Sequence, residues 1–228
     1  MSSEIKANTI SEVTSANGVS IDGVLLKDGG ATFTGTVTGI SMNLVAYKQG
    51  PDPDSSVFAV DNVFSDTYDS YEIVIESIIG ATNMDTAEVY LRFIDDEGSE
   101  LSGSNYWYSN IARDSGGTDR TITGESEANM KLCQNMGAAS GAKEGMCGGL
   151  IFSGTRSENT YSQMHGHLAF TRGDDKHTTS VLSCVYKGTG SGSSGTKIRG
   201  FNIKGGGSGN HWTQNADGGV YVYGYNNS

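Results

Sequence analysis

The sequence predicts an all-β protein, a short N-terminal β shaft followed by a C-terminal β-sandwich of jelly-roll-like type. Three observations carry that prediction. Residues 71–76 (YEIVIE) and 88–93 (EVYLRF) alternate in polarity, which sets Tyr71, Ile73 and Ile75 on one strand face and Val89, Leu91 and Phe93 on another. Glycine is abundant at 33 of 228 residues and proline scarce at 2, and the glycines stand with Ser, Asn and Asp between apolar runs, where strands turn. No segment sustains an apolar stripe at helical period; only residues 126–134 suit a short helical turn.

In chain order, residues 1–16 form a polar leader whose sizeable apolar groups are Ile5, Ile10 and Val13. Such a segment orders only when docked on something else. Residues 17–56 read as shaft and neck. Val19, Ile21, Val24, Leu25, Leu26, Phe33 and Val37 occur in brief runs separated by glycines, the pattern of short strands and tight corners. These side chains are too few to enclose a core in one copy, but several copies wound about a common axis would bury them. A flexible Gly/Thr linker is the competing reading, and it leaves Val24, Leu25 and Leu26 in water, which is unfavourable. The run Gly50-Pro51-Asp52-Pro53-Asp54 holds both prolines and reads as a rigid neck. Residues 57–228 then form the sandwich, with further strands expected at 106–111, 130–133, 149–152, 164–170, 179–186, 198–203 and 220–225. The last of these has β-formers on both faces, which suits a central strand or a subunit interface. Residues 187–195, all Gly, Ser and Thr after Lys187, read as an exposed loop.

The formal net charge of −11 excludes nucleic acid and anionic membrane as main partners. No apolar run is long enough to span a bilayer, and the first residues lack a hydrophobic signal core, so assembly in a cytoplasm is expected. Three irregularly spaced cysteines, Cys133, Cys147 and Cys184, read as free, buried thiols rather than a disulfide framework.

Candidate chemistry is sparse. His165 and His167 lie on one side of a strand and begin a metal site only if Cys133, Cys147 or His177 joins them; decoration of a polar face explains them as well. The acidic groups Asp52/Asp54, Asp95/Asp96/Glu97 and Asp174/Asp175 lack calcium-loop spacing and read as solvated turns. No nucleophile elbow, phosphate loop or dinucleotide fingerprint occurs, so no enzyme activity, metal or cofactor is expected. Aromatic and amide groups are more informative. Asn210, His211, Trp212 and Gln214 combine a flat ring with donors and acceptors, the set that fits a sugar's apolar face and hydroxyl rim. Trp107, between Tyr106 and Tyr108, fits packing in a core or interface better.

The leader IKANTI (5–10) and the run NGVSIDGVLLKDG (17–29) resemble the N-terminal segment of structural fibre proteins from tailed phages of marine bacteria, cyanophages among them. Residues 68–75 (YDSYEIVI) and 220–224 (VYVYG) are similar to pieces of the β-sandwich tips that follow such leaders. The resemblance implies a homotrimeric virion appendage, assembled in the bacterial host, anchored to capsid or tail proteins through its N-terminus and carrying its C-terminal domain outward. Contact with host surface glycans, decoration of the capsid without receptor binding, and glycan cleavage as a tailspike are the competing roles.

Overall fold

Every regular element among the described residues is a β-strand. The computed structural model describes residues 19–21, 24–27, 30–33, 42–50, 55–80, 87–137, 145–188, 195–206, 212 and 218–225, the first three ranges by backbone alone. The chain divides into two compact units, Met1–Ser41 and Met42–Ser228.

In the first unit, β1 (Val19–Ile21), β2 (Val24–Lys27) and β3 (Gly30–Phe33) form an antiparallel meander in that order. Val19 pairs with Leu26, Ile21 with Val24, and Val24 with Phe33. Paired and alternate positions share a face, so positions 19, 21, 24, 26 and 33 fall together. Position 25 pairs with 20 and 32 and falls on the other face, with Ser and Thr. Of the seven shaft residues, Leu25 is set apart from the other described positions by register, and Val37 lies outside the described residues.

The second unit is a β-sandwich. Its larger sheet has the order β4-β15-β6-β11-β12-β13-β8-β9 and its smaller sheet β10-β7-β14-β5, antiparallel throughout. The larger sheet comprises β4 (Met42–Gln49), β6 (Ser70–Ile78), β8 (Tyr106–Asp114), β9 (Asp119–Glu127), β11 (Met146–Ser153), β12 (Ser162–Thr171), β13 (His177–Tyr186) and β15 (Gly219–Tyr225). The smaller comprises β5 (Val57–Val60), β7 (Ala87–Asp95), β10 (Met130–Met136) and β14 (Ile198–Gly205). Alternation decides what is buried: Tyr71, Ile73 and Ile75 on β6 and Val89, Leu91 and Phe93 on β7 are all within 1% of full burial, as their pattern requires. Rings from the two inner faces interlock, with Phe152 of β11 5.5 Å from Phe201 of β14 and 5.9 Å from Phe93 of β7. Each such buried ring contributes about 1.5–3 kcal/mol.

Two stretches differ from the sequence reading. Residues 42–49, assigned there to shaft and neck, form β4 and pair along β15, and the compact units part after Ser41. Its partner β15 is adjacent in the sheet but far away in the sequence, beyond the reach of a local pattern. Residues 126–134 contain no helical turn: β9 continues to Glu127, the chain reverses at Ala128-Asn129, and β10 begins at Met130. Buried Met130, Leu132 and Cys133 supply the apolar spacing that suggested a helix.

Candidate functional site

Register defines two ends of the sandwich. At the first, Met42 faces Tyr225, Tyr225 faces Ser70, Ser70 faces Ser153, Ser153 faces Gln163, and Gln163 faces Val185. At the second, Gln49 faces Gly219, Met146 faces both Ile78 and Phe170, and Thr178 faces Asp114. Met42, where the second unit begins, thus belongs to the first end.

Trp212 lies at the second end, and the structure corrects its expected role. The residue forms an isolated bridge with Gly80, and its backbone N–H donates to the Ser55 carbonyl at 2.9 Å. It is 1% exposed and among the largest fully buried side chains. An indole is large enough to plug the open end between two sheets, and a Gly/Asn-rich neighbourhood marks turns rather than exposure. Its Nε1–H meets no acceptor among the described residues. The face a sugar would stack on is therefore enclosed. Asn210, His211 and Gln214, its expected companions, lie outside the described residues.

His165 and His167 are both exposed on the outer face of β12. Cys147, on neighbouring β11, is exposed, which corrects its expected burial; Cys133 and Cys184 are buried. Burial raises both buried thiols to about 12. Among the described residues no three His, Cys, Asp or Glu side chains gather as a metal site.

The carboxylates of the turns work as clasps between loops. Arg156 binds Asp66 at 3.1 Å and also Asp96, and Arg199 binds Asp61 at 2.6 Å. At the second end Asp114, with a side chain 0% exposed, accepts from the backbone N–H groups of Gly116 and Thr118 at 3.0 Å each. Arg172 approaches it at 3.2 Å and Asp174 at 3.3 Å. Those N–H donors, the Thr118 one foremost, hold the Asp114 carboxyl below its ordinary range despite burial, with help from Lys176 and Arg120. Asp52 and Asp54 lie outside the described residues. A polar hollow of about 540 Å3 opens among Asp66, Tyr68, Arg156, Glu158 and Lys197, at the first end.

The most distinctive surface is the outer face of the larger sheet. Register aligns a row across all eight strands: Thr121, Ile111, Val181, His167, Gly149, Val74, Tyr221 and Tyr47. Ile111 and Val181 are 60% and 68% exposed. Between them and Cys147, Ala169 and His167 lies a shallow groove of about 440 Å3. Further along, Tyr47 and Tyr221 pack with ring centroids 4.6 Å apart, and Tyr221 stacks on Tyr223 at 6.4 Å. Trp107 is half-buried on this face, with the Lys187 ammonium 3.2 Å from its ring centroid. Pattern reading missed this face. Its signal was present in the adjacent apolar pairs Ile111-Ala112, Leu150-Ile151 and Val181-Leu182, which set apolar groups on both faces of their strands.

Comparison with known protein families, curated proteins and solved structures finds no match to this chain.

Proposed function

We propose that the chain is the subunit of a homotrimeric phage fibre or spike, held to the virion by residues 1–16 and carrying the sandwich outward. The observation that carries this reading is the one-faced meander: positions 19, 21, 24, 26 and 33 on one face are all large and apolar, while position 25 pairs with Ser20 and Thr32 on the other. Among the described residues this three-stranded sheet has no second layer, and its apolar face calls for other copies. The acidic balance fits a particle-bound protein that touches neither nucleic acid nor lipid. In this reading host contact falls to the segments around Trp212, which include Asn210, His211 and Gln214, and not to the indole itself. The protein performs no catalysis and needs no metal or cofactor.

Light scattering on the full chain tests the assembly, with three copies expected and a stable monomer overturning it. A chain lacking residues 1–16 should still assemble but be missing from purified particles. Capsid decoration is the second reading: it predicts normal adsorption by particles that lack the protein, where the fibre reading predicts a deficit.

A further inference from the structure

The two outer faces of the sandwich are made of different chemistry. On the smaller sheet, outward positions include charged groups that are mutually paired: Arg92 and Lys204 both bind Glu100, at 2.7 and 3.0 Å, and Lys131 binds Glu88. That face is built for water. On the larger sheet, the outward positions of β11, β12 and β13 are Cys147, Gly149, Ile151 and Ser153, then Gln163, His165, His167 and Ala169, then His177, Thr179, Val181, Ser183 and Val185. Not one is Asp, Glu, Lys or Arg, in a chain with 41 such residues (26 acidic and 15 basic).

Among the described residues of the second unit, the exposed large hydrophobic side chains are Met42, Leu44, Tyr47, Ile111, Ile151 and Val181. All of them stand on that one face. Met42, Leu44 and Tyr47 pair with Tyr225, Tyr223 and Tyr221, whose neighbours Val220 and Val222 point inward. Ile111 pairs with Val181, and Ile151 with His165, one row away. Scattered exposed hydrophobics are ordinary in proteins; six confined to one face, around the uncharged outward positions of β11 to β13 and among tyrosines that bind the outward Glu72 and Glu76 of β6, have the composition of an interface.

We infer that this face is where copies of the chain meet within the sandwich unit, so that the partner covering it is a second copy of the same chain. The inference rests on the trimer reading and extends it beyond the shaft. Area supports it. Eight strands spaced about 4.8 Å apart, with outward positions spread over about 20 Å, present roughly 750 Å2. A stable interface takes about 800 Å2 from each partner. Copies joined by their first units hold their sandwiches at an effective concentration in the millimolar range. At that concentration a face with modest intrinsic affinity is occupied.

Cys147 provides the test. It is exposed on this face, while Cys133 and Cys184 are buried with thiols raised to about 12, so native maleimide labelling of the full chain reads Cys147 alone. The native chain should label at least tenfold more slowly than the same chain in urea. The double variant Ile111→Glu, Val181→Glu should restore fast labelling with an unchanged circular dichroism spectrum, while light scattering still reports three copies held by the first unit. Fast labelling of the wild-type trimer would overturn the inference and leave the trimer reading standing. Slow labelling in both wild type and variant would overturn it as well, because protection would then not depend on this face. A wild-type monomer with a reactive Cys147 would remove both readings. The comparison of wild type in buffer and in urea needs no variant to fold.

Discussion

The backbone N–H of Trp212 donates to the carbonyl of Ser55 across 2.9 Å, and this bond ties the approach to β15 to the approach to β5. The two belong to different sheets, so the indole beneath closes the sandwich from both layers at once.

Trp212→Ala should therefore lower unfolding free energy by about 3–5 kcal/mol, the usual effect of emptying a buried aromatic site. Urea denaturation measures it. Any loss of adsorption should track the loss of folded protein, and Trp212→Phe should recover much of both. An unchanged urea midpoint in the alanine variant would show that the indole is not part of the core.

Tyr106 is a second buried anchor. Its hydroxyl accepts from the Phe93 N–H at 2.8 Å and donates to the Leu101 carbonyl at 2.9 Å. Tyr106→Phe keeps the ring and strands both backbone groups, so a loss of about 1–3 kcal/mol is expected. Equal stability of the two proteins would mean that water replaces the hydroxyl.

Acid should destabilise the sandwich. Hydrogen bonds from Arg199 hold Asp61 below its ordinary 3.8. Burial pushes Glu100 up, but Arg92, Asn202 and Lys204 together outweigh it and hold the group below its ordinary 4.5. A carboxyl depressed in the folded state contributes stability that is fully present above its unfolded value and lost as pH falls through the folded one. The urea midpoint should be flat from pH 7 to about 5 and fall below about 4. Asp61→Asn with Glu100→Gln should be less stable than wild type at pH 7 and should shrink the acid slope. A midpoint that rises on acidification would contradict this assignment.

Gly148 occupies φ +147° at a bulge in β11, and a Cβ there would stand 2.2 Å from the His167 carbonyl oxygen. Gly148→Ala has to push β11 away from β12 or reshape the bulge, at about 1–3 kcal/mol. Thermal melting of the variant gives the answer, and a midpoint equal to wild type would show that the bulge relaxes freely.

The meander makes a prediction that register alone supplies. Leu26→Asp places a charge on the face with positions 19, 21, 24 and 33 and should reduce the light-scattering mass of the full chain. Leu25→Asp falls on the Ser20/Thr32 face and should leave that mass unchanged. Equal effects of the two would remove the one-faced shaft.

Strands whose side chains alternate between core and water were legible in the sequence. Residues 71–76 and 88–93 lie within β6 and β7 with the inward sets as read. The strands at 106–111, 164–170 and 179–186 also appear, lengthened at one or both ends. Strand β9 was not legible, because its Asp119-Arg120-Thr121-Ile122-Thr123-Gly124 run buries only Ile122 and is held by β8 alone. Strand β4 was hidden for a related reason: its partner lies at the far end of the chain. The proposed contact at Trp212 failed because local composition reports turns, whereas burial of that ring depends on Gly80 and Ser55, distant in sequence. The outer-face residues were visible as letters but not as a surface until register placed Ile111 beside Val181.

The position of β15 in the larger sheet bears on how the protein is made. Among the described residues that strand is the last element; it lies between β4 and β6 and is the sole sheet partner of β4 there. A nascent chain emerges from the ribosome with β4 long before β15, so the pairing edges of β4 and β6 stay open until β15 follows. Closure waits for Gly219–Tyr225 to be made. Premature termination before Gly219 leaves β4 unpaired, beside a β6 that is itself stripped on one side. Completion of this part of the sheet thus depends on translation through β15, which alone fills the place between β4 and β6.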